Sequence, residues 1–152
     1  MIKTIATPPD KPSLHVEMTP KEIAVREASE LANVIKSIPR LIKEYRDRMI
    51  CVDITLHGAT VKNNTSTMDA LKRTADTLLL DETKETVDWV EDRGSVSLNS
   101  AQLYEIYMQC FDRQQKCFSA SSVVLAAHKE KPYTTIQSAY DAFDAEMVRL
   151  QK

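Results

Sequence analysis

The side chains best suited to act as bases, nucleophiles or soft metal ligands are three histidines, His15, His57 and His128, and three cysteines, Cys51, Cys110 and Cys117. A nucleophile needs a base in reach, often with a third group to orient that base. The sequence carries no CxxC or HxxxH pair, the kind of ligand spacing that structural zinc sites use. Cys110 and Cys117 fall on one predicted helix, which separates their Cα atoms by roughly 10 Å at ~1.5 Å rise per residue. A disulfide needs Cα atoms within about 7 Å. The three thiols are therefore expected as small apolar residues in a reducing compartment. His57 precedes Gly58 at a predicted hairpin tip and reads as a polar turn residue. His128 falls in the last turn of a predicted helix, where a cation-capable side chain suits the dipole. His15 belongs to an N-terminal arm. The carboxylate pairs Asp81-Glu82 and Glu91-Asp92 flank strands and read as solvated ends. Trp89, with acidic neighbours, is expected to anchor a hairpin to the core. No catalytic residue, metal site or cofactor is expected from this set.

The 152 residues are 43% hydrophobic and 28% charged, with Lys+Arg 20 against Asp+Glu 22. That is the composition of an ordinary globular chain, and it lacks the basic excess of a dedicated nucleic-acid binder. With only two glycines, Gly58 and Gly94, neither GxGxxG nor GxxxxGK can be built, so glycine-rich phosphate loops are excluded. The first residues show neither the apolar core of a signal peptide nor a membrane-spanning run. Synthesis and action in a cytoplasm are expected, and the glycosylation tripeptides at Asn63 and Asn64 are expected to be chance matches.

The elements that must position these residues follow from periodicity and caps. Pro8, Pro9 and Pro12 favour an extended arm over residues 1–18. Thr19, Pro20 and Glu22 supply an N-cap, a proline at the first helical position and a capping box, so a helix over 19–48 is predicted. Pro39 should kink or break it near Ser37–Ile38. From Ile50 to Leu56 the period becomes two, giving a strand, with Ala59–Lys62 returning after Gly58. Ser66 to Leu80 reads as a helix capped by Ser66. Glu85–Glu91 and Ser95–Leu98 form a second hairpin around Asp92-Arg93-Gly94, read as a three-residue turn. Asn99 and Gln102 open a long helix whose Leu103, Cys110, Cys117 and Val124 recur every seven residues, joined inward by Ile106, Tyr107, Phe111 and Phe118. A terminal helix follows Thr134. The predicted class is α+β: arm and long helix, then a ββα-ββα body over 49–152 with antiparallel hairpins and a terminal helix.

Two features look built for protein contact. Ala24, Ala28, Leu31, Ile35, Ile38, Ile42, Tyr45 and Met49 alternate spacings of four and three, the a/d seam of a coiled coil. The seam is expected either to pack on the chain's own domain or to carry self-association, or partner contact, through the 24–49 helix. Leu14, Val16 and Met18 alternate with polar residues, so the arm is expected to add as a strand to a partner's sheet edge.

The run Val87-Asp88-Trp89, Gly94, Val96-Ser97-Leu98, Ala101-Gln102-Leu103 and Cys117-Phe118 resembles a domain of unknown function found in tailed-bacteriophage proteins. The strand Ile50–Leu56, Gly58 and the helix from Thr67 fit the same layout, so the likeness spans Tyr45–Tyr140. The stretch Val16–Ala24 is similar to short leaders of phage tail-accessory proteins. The resemblance implies a noncatalytic tail or tail-fibre protein, structural or chaperone-like. It would bind a fibre, baseplate or tail partner, in the host cytoplasm during assembly or in the virion tail. It implies no catalytic residues, nucleic acid or membrane. The alternative from a different class is a small cytoplasmic adaptor or regulator on the same scaffold, since fold does not dictate function.

Overall fold

A computed structural model describes residues 2–4, 15–81, 83–91 and 94–152. The protein is α+β. β1 (Ile2–Thr4) pairs antiparallel with β2 (His15–Glu17), placing Lys3 opposite Val16. The arm's alternating stretch is thus already paired with the start of its own chain, which corrects the single extended strand expected there. Leu14 lies outside the described residues.

α1 (Pro20–Ile50) opens on the expected box: Glu22 N donates to Thr19 Oγ1 at 3.3 Å and Thr19 N to Glu22 Oε2 at 2.9 Å. The helix runs unbroken through Pro39 and continues to Ile50, with Cys51 as C-cap. The period-two stretch from Ile50 is therefore strand only in β3 (Ile54–Leu56), which pairs with β4 (Ala59–Val61). Leu56 opposes Ala59, so His57 and Gly58 form a two-residue turn with φ of +54° and +81°, as a primed hairpin turn requires. Backbone conformation explains Gly58, because a Cβ there would meet Val96 only at 3.9 Å.

α2 (Thr65–Leu80) is capped by Asn64, two residues before the expected Ser66, and Asn64 Oδ1 accepts from Thr67 N at 2.8 Å. β5 (Thr86–Glu91) pairs with β6 (Gly94–Asn99), and Glu91 opposes Gly94. That register puts Gly94 in the strand and leaves two connecting residues, where three were expected. α3 (Ser100–Glu130) carries the Asn99–Gln102 capping box, and Thr135 caps α4 (Ile136–Arg149).

Two core clusters lie along α3. Toward its start, Leu103, Ile106 and Cys110 pack with Leu71 and Ala75 of α2, Ala59 and Val61 of β4 and Leu98 of β6, and Trp89 closes one side. Toward its end, Cys117, Ala120 and Val124 pack with Ile38 and Ile42 of α1 and Ala139, Phe143 and Met147 of α4. The heptad residues of α3 are thus inward as predicted. Phe111 and Phe118, expected beside them, are instead exposed at 41% and 45%. They lie on a flank of α3 that the apolar faces of α1 and α2 leave open, although Arg46 of α1 reaches over Phe118.

α1 and α3 run antiparallel. Arg113 Nε donates to Met49 O at 2.8 Å, and His128 Nε2 meets Ile35 O at 3.2 Å. α3 ends two residues after His128, so α1 upstream of about residue 33 has no α3 beside it. Residues 24–33 are all exposed. At ~1.5 Å per residue the segment from Pro20 extends roughly 20 Å beyond the body. The expected division at residue 48 therefore cuts through packed helix, while the change from exposed to buried falls between 33 and 38. Among the described residues, no helix is long and apolar enough to cross a membrane.

Candidate functional site

Among the described residues, several of those able to do chemistry are held in separate structural pairs. His57, held at the hairpin tip, pairs through Nε2 with Glu105 of α3 and ties β3–β4 to that helix. Asp76 of α2 accepts from Tyr104 OH and from Lys72 Nζ, the latter at 3.0 Å. Those bonds, Tyr104's first and Lys72's second, hold the Asp76 carboxyl below the ordinary aspartate range. Tyr104 is pushed up, chiefly by its hydrogen bond to Asp76. Cys110 and Cys117 are buried, and desolvation raises both thiols above the ordinary cysteine value. Cys51 is exposed. Among the described residues, no three His, Cys, Asp or Glu side chains come together as a metal site.

Two polar residues whose interior roles sequence reasoning did not find are buried and satisfied. Asn63 is fully buried; its Nδ2 donates to Cys110 O at 3.3 Å and its Oδ1 accepts from Gln114 Nε2 at 3.4 Å. His128 is 7% exposed and stacks on Tyr133. Its Nδ1 accepts the Tyr133 backbone N–H at 3.1 Å. An amide N–H can only donate, so the ring proton sits on Nε2 and points at Ile35 O. His128 is thus an interior link between helices, where the sequence suggested a dipole partner at a helix end. The spacing of residues 35 and 39 was the available signal, because Pro39 withholds the N–H that Ile35 O would receive.

The interaction residues separate into three groups. Ile38 and Ile42 are completely buried in the chain's own core and Ile35 is half-buried beside His128; the first two are core residues, unavailable to a partner. Ala24, Ala28 and Leu31 are exposed, Leu31 by 43%, and continue the same helical face beyond the body. Met18 is half-buried, and Val16 is placed only through the backbone of β2. The tertiary structure thus brings together a short apolar line of two alanines and a leucine on a projecting helix. Alanines let another helix approach closely, and Leu31 supplies a knob for its groove. Around them, the exposed pair Arg26–Glu30 at 2.7 Å keeps the other side of α1 polar. A second apolar strip on α3 holds the half-buried Tyr107 stacked on the exposed Phe111, then the exposed Phe118 with the Arg46 guanidinium 4.5 Å above its ring.

A family model matches residues 36–146, starting where α1 passes from its exposed to its buried half. No curated protein and no solved structure matches the chain. The matched span covers both core clusters except Met147 and leaves outside it the arm and the projecting part of α1. The chain belongs to the family described as domain of unknown function (DUF4376).

Proposed function

We propose that this protein is a noncatalytic component of a tailed bacteriophage, structural or assembly-assisting, that binds a fibre, baseplate or tail partner through the projecting half of α1. The observation that carries the reading is the face of Ala24, Ala28 and Leu31. It continues the register of Ile35, Ile38 and Ile42 but emerges from the body with nothing described against it. An isolated helix of that length is marginal in water, and an amphipathic one is completed by a second helix laid along its apolar face. The partner fitting this surface is a tail-protein helix with larger apolar side chains, since the alanines leave room for them. The distributed resemblance around Trp89 and Leu98 supplies the phage context.

The test is capture from infected cells with the full chain as bait, beside the variant Ala24→Asp/Ala28→Asp/Leu31→Asp. A tail, baseplate or fibre protein retained by the first and lost with the second is the expected result. Capture of that protein by both would remove α1 as the docking element. Enrichment of host proteins alone would favour the adaptor reading. Mass spectrometry of purified virions then separates a stoichiometric component from a transient helper.

A further inference from the structure

Proline inside a helix ordinarily kinks or breaks it, because it lacks a donor and its ring presses on the carbonyl four residues back. Here that carbonyl is Ile35 O, and α1 is continuous from Pro20 to Ile50. The replacement donor comes from a residue 93 positions away, His128 Nε2 at 3.2 Å. Its ring is itself fixed on the other side, with Tyr133 N donating to Nδ1 at 3.1 Å and the Tyr133 ring stacked 5.7 Å away. Freed backbone groups in a helix are places where it bends. This one lies at the base of the projecting segment, between the end of its continuously exposed stretch at Asn33 and the first completely buried residue, Ile38.

We infer that Pro39 and His128 form a hinge and its latch, which set the direction of the projecting half of α1 relative to the body. Pro39 removes the hydrogen bond that would make the helix stiff at this point. The Nε2–H of His128 takes its place, but from α3, so the link runs between the projection and the body and not along the helix. While the latch is closed the projection points one way. When it is open the segment upstream of Ile35 pivots, and both core clusters stay folded because their buried residues lie outside it and only the half-buried Val34, at its very end, packs against the second cluster.

The experiment is electron–electron distance measurement on the full chain. The exposed Cys51 is replaced (Cys51→Ser), and spin labels are placed at Ser29→Cys on the projection and Ala145→Cys on α4. The parent should show a single narrow distance peak. His128→Ala should lose that peak to a broad distribution, with helical circular dichroism and Trp89 emission unchanged. Adding Pro39→Ala to His128→Ala should restore the narrow peak, because residue 39 then donates to Ile35 O itself. An unchanged peak in His128→Ala overturns the latch. Persistent broadening in the double variant overturns the link to Pro39 and makes His128 a packing residue only. Should His128→Ala alone fail to fold, recovery of the fold by Pro39→Ala supports the proposal through the same link, and failure to recover it overturns the proposal.

Discussion

At the scale of single residues, satisfaction of buried polar atoms decides what each side chain is for. Among the described residues, no buried side-chain nitrogen or oxygen lacks a partner. Asn63 illustrates the consequence: its amide bridges Cys110 O and Gln114, linking the loop before α2 to the middle of α3. Asn63→Ala removes both of these interior hydrogen bonds, so a loss of about 1–3 kcal/mol in unfolding free energy is expected by denaturant titration. Asp76 offers a pH test. Its folded pKa is lowered, first by Tyr104 and then by Lys72. The carboxylate therefore favours the folded state above its unfolded pKa of ~3.9, and that contribution is lost as pH falls through the lower folded value. Stability measured for Asp76→Ala should fall below that of the parent at neutral pH, and the gap should close as pH falls below about 4. A gap that persists at pH ~2 would mean that Asp76 acts through its shape and not its charge.

At the scale of elements, α1 is two helices in one. Its later half is core, tied to α4 by Tyr45, which stacks on Tyr140 at 4.3 Å and donates to Asp144 at 3.0 Å. Its earlier half is surface. Substitutions away from packed or bonded groups usually change stability by no more than ~0.5 kcal/mol. The triple variant Ala24→Asp/Ala28→Asp/Leu31→Asp should therefore keep the parent's thermal midpoint while losing its partner. A large fall in the midpoint would show that the projection folds back on its own body. Ile38→Asp, directly beside Pro39, should by contrast prevent folding, because it buries an unpaired charge.

At the scale of the whole molecule, the 31 residues of α3 carry both clusters. Neither cluster has a complete wall without that helix, so the two halves should unfold together. Phe143→Ala in the second cluster should cost ~3–5 kcal/mol, the range for a fully buried aromatic. It should also move the Trp89 fluorescence transition, which reports on the first cluster, by the same amount as the circular dichroism transition. Two separated transitions would show that the halves are independent domains. The strip of half-buried Tyr107 and exposed Phe111 and Phe118 runs across the junction of the two clusters, where Arg46 of α1 reaches over Phe118.

Local interactions were legible in the sequence. The boxes at Thr19–Glu22 and Asn99–Gln102, the turn at His57-Gly58, the alternation of β5 and β6 and the heptads of α3 all involve residues within a few positions of each other. Their preferences are set by the backbone they share, so the order of elements and the α+β class could be read without coordinates. Burial could not. The face from Ala24 to Met49 has one spacing throughout, yet part of it is core and part projects, because α3 ends beside residue 33. Phe111 and Phe118 have the same apolar character as Cys110 and Cys117 but face the side of α3 away from both clusters, where they stay exposed. The Ile50–Val52 stretch alternates like a strand and is claimed by the end of α1, whose final carbonyls are met by the Cys51 N–H and by Arg113. His128 received its role from Ile35, 93 residues earlier. Pattern states which face of an element is apolar; only the packing of distant segments decides how much of that face is covered.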